Sequence, residues 1–276
     1  MQSLRRVVES LSIHASRQTS NGFAPDSLAW RLCFLAQTSS STCRCSGFDQ
    51  WRLPATLRIM RNASATVLVF LGGFAIMVLE IIGARYLAKD FGSSFYVWIS
   101  QIGVILIALA LGYFVGGTLA DRYRRVSFLS MLLFPAGLIT LLIPGFAGGL
   151  INAIILRHPA DRNIPLVWQK LDPVIGSALI FLLPCFVLAT LSPYMIRLAT
   201  KELAHVGRIS GLIIAASTVG SIAGVFISGY ILIDQMTVPN IFRATGVLTV
   251  LLGLMCLYMD RWFIETNPNA KEAENE

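Results

Sequence analysis

Charge is scarce in this sequence. Asp, Glu, Lys and Arg make up 13% of its 276 residues, about half the share usual in soluble domains. That scarcity excludes an ordinary soluble enzyme, and equally a disordered or fibrous chain. Histidine is scarcer still, with three residues (His14, His158 and His205), all outside the apolar stretches. Ser–His, His–Glu and paired-Asp arrangements are therefore missing at membrane depth, which makes an intramembrane enzyme the least favoured class. No Gly-x-Gly-x-x-Gly fingerprint occurs, so no dinucleotide-type site and no cofactor is expected. The five cysteines form no pattern. Cys185 and Cys256 lie within apolar segments as small core residues. Cys33, Cys43 and Cys45 lie near the N-terminus, and a lone Cys-x-Cys is a poor metal signal, so neither a disulfide framework nor a metal is expected.

Apolar residues are abundant, at 55% of the chain. They come in blocks of roughly 20, the length that carries a helix across a bilayer. The sequence thus predicts an all-α, polytopic helical membrane protein whose first partner is the lipid bilayer. The net charge of +7 then reads as basic loops on one side of a membrane, and no nucleic-acid partner is expected.

Residues 1–61 differ from the remainder. They are rich in Ser and Arg, with Glu9, Asp26 and Asp49 as their acids, and have no apolar run long enough for a signal-peptide core. The composition is that of a transit peptide. A disordered tail and a start misassigned upstream of Met60 compete with that reading, and an unstructured tail without function is the favoured expectation. The transmembrane domain is expected over 62–262, followed by a disordered acidic tail at 263–276.

Six main spans are expected, at about 65–87, 96–119, 126–144, 173–196, 209–233 and 238–259. Phe146 to Leu156 is too short to span, and reads either as a re-entrant or interfacial segment or as an extension of the third helix past Pro144. Trp168 is placed as an interface anchor. With the N-terminus in the cytoplasm, Arg122, Arg124, Arg125, Arg197, Lys201, Arg208 and Arg261 all fall inside. Lys89, Arg157, Arg162 and Lys170 fall outside, partly balanced by Asp90, Asp161 and Asp172. Both termini are therefore expected inside, and a bacterial inner or cell membrane is the expected host.

Glu80 is the sharpest feature. A carboxylate near the middle of span one is expensive and normally faces protein or water. It reads as a cation or proton site, or as a neutral acid that locks helix packing. Arg85 is five residues on and about 140° around the helix, so it snorkels or pairs with another helix. Gln101, Tyr113 and Tyr194 are the candidate polar neighbours.

Span two carries Gly112-xxx-Gly116 and then Gly117, and span five carries Gly220-xxx-Gly224 among Ser217, Thr218, Ser221, Ser228 and Gly229. Such residues let helix backbones touch in lipid. Their matching places, in the second span of each half, and the acids Asp121 and Asp234 beyond them, suggest a three-plus-three internal repeat.

The segment Gly117-Thr-Leu-Ala-Asp121-Arg122-Tyr123-Arg124-Arg125 resembles the cytoplasmic loop motif of the major facilitator superfamily. In that reading Asp121 binds the positive N-terminus of a neighbouring helix and the arginines hold the loop inside, as a conformational latch. A plain positive-inside loop is the simpler alternative.

Two longer stretches narrow the resemblance. One runs from Glu80-Ile-Ile-Gly-Ala-Arg85 through Phe91-Gly92-Ser93-Ser94 and Tyr96-Val-Trp98 to Leu111-Gly112-Tyr113 and Gly116-Gly117. The other holds Leu191-Ser192-Pro193, Val206-Gly207-Arg208-Ile-Ser210-Gly211 and Ser217-Thr218-Val-Gly220-Ser221. Together they resemble, over about residues 62–260, the membrane domain of the fused major-facilitator/spermidine-synthase proteins. The resemblance implies a half-major-facilitator-like arrangement and a link to polyamines. A soluble aminopropyltransferase-like domain commonly follows in that family, and its motifs are missing from this sequence, so no catalytic activity is expected.

A polyamine site inside a membrane needs buried acids and aromatic walls, and one mid-membrane acid is few for a multiply charged ligand. Two functions are carried forward. The first is a transporter-like module for a small solute, with Glu80 as binding or coupling site and the Asp121–Arg125 loop as gate; six spans then need a homodimer to enclose a path. The second is a non-catalytic anchor or scaffold for a separately encoded aminopropyltransferase-like partner.

Overall fold

A computed structural model describes residues 55–264, apart from 93, 124, 158–164 and 201–205. Most of the expected N-terminal tail and nearly all of the C-terminal one lie outside the described residues. Six long helices follow one another: α1 (Ala55–Phe91), α2 (Phe95–Tyr123), α3 (Ser127–Ile155), α4 (Leu166–Ala199), α5 (Val206–Ile227) and α6 (Val238–Ile264). Helix α5 runs on through a π-helical turn, Ser228–Leu232, and a final turn, Ile233–Gln235. All six are long and apolar enough to cross a membrane, and no strand occurs among the described residues. The chain is an all-α, multi-pass integral membrane protein. In lipid only a helix satisfies its own backbone polar groups, so each apolar block has one stable outcome.

The breaks are local chemistry. Gly92, at φ +84°, takes the left-handed conformation that ends α1, a position where a Cβ is costly. Pro165 is extended, and its carbonyl accepts the Trp168 and Gln169 N–H groups that open α4. Thr237 does the same for Asn240 and Ile241 at the start of α6.

The third helix is one continuous element to Ile155, passing through Pro135 and Pro144. The short piece Phe146 to Leu156 is therefore an extension of α3 and not a re-entrant segment. Helix α4 likewise contains Pro173, Pro184 and Pro193. Neighbouring helices in a membrane re-satisfy the groups that proline frees, so these residues do not end a span. Helix α1 begins at Ala55, so the last seven residues of the stretch expected to be tail are helical.

Packing follows a repeat of halves. Helix α2 lies along α4, α5 lies along α1, and α3 packs against α6. Helices α1 and α4 pack on each other at the centre; α6 also touches α1, and α3 also touches α4. Exchanging α1 with α4, α2 with α5 and α3 with α6 leaves this set of pairings unchanged. That is the three-plus-three arrangement expected from the glycines. The central stretches of α1 and α4 are each 61% buried, against 17% for α5, so the two repeat mates form the core.

The glycine pairs make these contacts. A Cβ at Gly112 would stand 2.6 Å from the Phe186 carbonyl oxygen, and one at Gly116 2.7 Å from that of Thr190. In the other half, Gly220 lies against the Phe70 carbonyl, and a Cβ at Gly224 would stand 2.6 Å from that of Phe74. Both pairs therefore bring backbone onto backbone, and each runs parallel to its partner helix. The same offset aligns Asp121 with Gly229, so Asp234 is not its repeat mate; it lies beyond the π turn, which adds a residue.

Candidate functional site

Glu80 is half-buried on α1 and makes no hydrogen bond or ion pair among the described residues. Its surroundings follow from helix register. Gly73, seven residues earlier and about 20° away around the helix, faces the Ser217 carbonyl and the Ser217 and Ser221 hydroxyls of α5. Met77 lies against Gly224. One turn further, Glu80 sits on the α5 side where α5 passes from Gly224 into the π turn, which itself packs on α1. On α4, the buried Cys185 lies within electrostatic reach of Glu80.

Hydroxyls line this seam. Ser192 of α4 donates to the Ser217 hydroxyl at 3.4 Å, and Ser221 donates to the Gly73 carbonyl at 3.4 Å. Ser228, fully buried, donates to the Val225 carbonyl at 3.1 Å. Ser210, Ser217, Ser221 and Ser228 are spaced seven, four and seven residues apart, which places them within about 40° of one another on α5.

The other residues expected beside Glu80 are dispersed. Gln101 is fully buried on α2, accepts from the Ser177 hydroxyl of α4 at 2.5 Å, and packs its amide nitrogen on Gly83 of α1. It ties three helices together, and that amide nitrogen has no partner among the described residues. Tyr113 is exposed, twelve residues along α2 from Gln101, or about 18 Å. Arg85 is exposed on α1. Tyr194 sits with a different group: its hydroxyl donates to the Arg125 carbonyl at 2.6 Å.

That second group is the connection between α2 and α3. The Asp121 carboxylate pairs with Arg197 of α4 at 2.5 Å, both side chains being more than half exposed. Arg122 lies over the Tyr123 ring at 5.7 Å, and Tyr123 stacks on Phe128 at 4.2 Å. Helix α3 does receive an acid at its N-terminus, but from elsewhere: Asp260 of α6 accepts the Ser127 N–H at 3.1 Å. Asp121 is thus an ion-pair partner, and Asp260 takes the capping role that the sequence assigned to Asp121. Gly117 faces open space, unlike Gly112 and Gly116. Arg125 is exposed, and Arg124 lies outside the described residues.

At the opposite end of the bundle, Arg157 pairs with the buried Asp172 at 2.7 Å and lies 4.3 Å over the Trp168 ring. Lys170 lies 5.1 Å over Tyr96. Cations over aromatic rings join an apolar body to a charged tip, a pairing that suits either water or a headgroup layer.

Sequence reasoning missed Arg197 and Asp260 as partners, because each meets its mate across more than 70 residues of chain. The seam was also missed, although the serine spacing on α5 is readable. Compared with known proteins, the chain matches no family model, no curated protein and no solved structure.

Proposed function

We propose that the bundle is a transporter-like module for a small solute, with Glu80 as its binding or coupling site. One observation carries the reading: Glu80 is a half-buried carboxylate at bilayer depth with no protein partner. An acid that merely locked packing would be expected to hold a hydrogen bond, and an intramembrane acid without one has its use with a ligand. The resemblance to the membrane domain of the major-facilitator/spermidine-synthase proteins makes a polyamine the first solute to try. In this reading the Asp121–Arg197 pair and the Arg122–Arg125 loop act as a gate on the cytoplasmic side of a cell membrane, both termini lie inside, and two copies enclose the path.

A non-catalytic anchor for a separate aminopropyltransferase-like protein is the second reading, favoured by the exposure of Asp121, Arg122 and Arg125. Labelled spermidine flux in proteoliposomes decides between them. Saturable uptake that falls in Glu80→Gln supports the transporter. Folded protein with no flux above empty liposomes supports the anchor.

A further inference from the structure

Two polar groups at bilayer depth lack partners among the described residues, and they meet α1 within one helical turn of each other. One is the Glu80 carboxylate. The other is the side-chain amide nitrogen of Gln101, a residue with 0% of its surface exposed. That nitrogen lies against the position a Cβ would take at Gly83. Gly83 is three residues beyond Glu80, a spacing that sets Cβ positions about 5–6 Å apart on one face of a helix. Side chains leave a helix tilted toward its N-terminus, so the Gly83 Cβ position leans toward the turn that carries Glu80. The carboxyl oxygens of a glutamate stand about 3–4 Å beyond its Cβ at ordinary bond lengths. A turn of the Glu80 side chain toward Gly83 therefore closes most of the gap to the amide, and glycine at 83 leaves the place free.

Both groups gain from that contact. A buried donor left unmade carries its full desolvation penalty, and an acid at bilayer depth carries a burden of the same kind. Gln101 is also anchored at its other end, where its carbonyl accepts from the Ser177 hydroxyl of α4 at 2.5 Å. A side-chain amide has a donor end and an acceptor end, and a serine hydroxyl both donates and accepts. The pair thus works in either direction. As it stands, its N–H group suits a carboxylate. Turned end for end, the amide donates to Ser177, and its carbonyl accepts the O–H of a protonated acid.

The titratable neighbours do not supply an equal partner. On α4, the buried Cys185 is within electrostatic reach of Glu80, and a thiol is a weak donor. Tyr113 of α2, Tyr230 of the π turn, Arg243 of α6 and Arg85 of α1 are exposed, and Cys256 of α6 is grouped with Asp260. No cluster of three metal-ligating side chains occurs among the described residues. A metal cation needs several ligands converging on one point, whereas a proton needs a single acceptor.

From these observations we propose that Gln101, backed by Ser177, is a positioning residue that seats Glu80 in both charge states, the carboxylate through its N–H group and the protonated acid through its carbonyl. Glu80 then has two stations, the unbonded one and one against Gly83. The inference rests on the reading of Glu80 as a coupling site and assigns it a proton as the coupling ion.

The test is infrared difference spectroscopy, acid minus neutral, on purified full-length protein in detergent. The protein is made by cell-free synthesis with glutamine carrying a heavy isotope at its side-chain carbonyl, or without it. The bands lost in Glu80→Leu belong to the acid and to groups that respond to it. In the wild type these are expected to include an amide band that the heavy isotope moves to lower frequency, because the Gln101 amide changes its bonding when Glu80 takes a proton. The Glu80 carboxyl band is expected at higher frequency in Gln101→Met, which keeps the side-chain length and offers neither N–H nor carbonyl. A purely structural Gln101 would leave that band in place. No isotope-sensitive band in the wild type, or a carboxyl band unmoved in Gln101→Met, overturns the proposal. If Gln101→Met fails to fold, the labelled wild type decides alone. Spermidine flux that falls in Glu80→Gln, without the isotope-sensitive band, would sink this inference and leave the transporter reading standing; the band without flux would do the reverse.

Discussion

Gly137 of α3 and Gly246 of α6 lie against each other's backbone. A Cβ on Gly246 would stand 2.9 Å from the Gly137 carbonyl oxygen, and one on Gly137 3.1 Å from that of Gly246. The two are repeat mates, so this contact sits on the axis that relates the halves. Either glycine replaced by valine should cost about 1–3 kcal/mol through forced separation of the helices. Gly117→Ala, which meets nothing, should be close to neutral. Melting temperatures of the variants in detergent would check this, and equal losses at Gly117 and Gly246 would contradict the packing.

The Asp121–Arg197 pair is exposed, so its contribution to stability should be small, about 0–1 kcal/mol, and weaker in high salt. Its effect on conformation should be larger than its effect on melting. A double-mutant cycle of Asp121→Asn and Arg197→Gln would measure the coupling. Coupling above about 2 kcal/mol would mean that the pair is far better shielded than its exposure indicates.

Tyr194→Phe removes a hydrogen bond to the Arg125 carbonyl, and a loss of about 1 kcal/mol is expected. The ring itself stays packed, since Tyr194 is among the most deeply buried large side chains. Proteolysis between α2 and α3 should quicken in this variant, and unchanged cleavage would show that the contact does not hold the connection.

Asp260→Ala removes the acid at the start of α3 and should cost about 0.5–2 kcal/mol, the range for a lost N-terminal cap. Asp121→Ala should cost less. The reverse order in thermal melts would return the capping role to Asp121.

Glu80→Leu should raise stability by about 1 kcal/mol or more, because an unpaired acid at bilayer depth is a burden on the fold. Stabilisation together with loss of flux is the expected trade between folding and function. A destabilised Glu80→Leu would identify the acid as a packing group.

Much of the fold was legible because apolar blocks in a membrane have one backbone solution, and six of them were countable. The glycines of α2 and α5 were readable too, since a four-residue spacing keeps them on one face whatever they touch. The limits of α3 were harder. Pro144 punctuates a soluble helix, but a membrane bundle tolerates a proline within a span, and nothing in the local sequence reports that. The neighbours of Glu80 were least legible. Gln101 and Tyr194 are polar residues within apolar helices, as a ligand site would require, yet Gln101 is occupied by Ser177 of α4 and Tyr194 by the α2–α3 connection, contacts that only the tertiary arrangement reveals.

The exchange of halves described for the six helices has a consequence for chain order. Every principal contact is a pairing between spans, and the set survives when the first three change places with the last three. The ends of α1 and α6 lie on the same side of the bundle, as do those of any even number of alternating spans. A permuted chain, opened between α3 and α4 and closed from α6 to α1 by a linker, would therefore carry the same contacts in a new genetic order. The architecture belongs to the pairings, and the order of the chain is one of at least two routes through them.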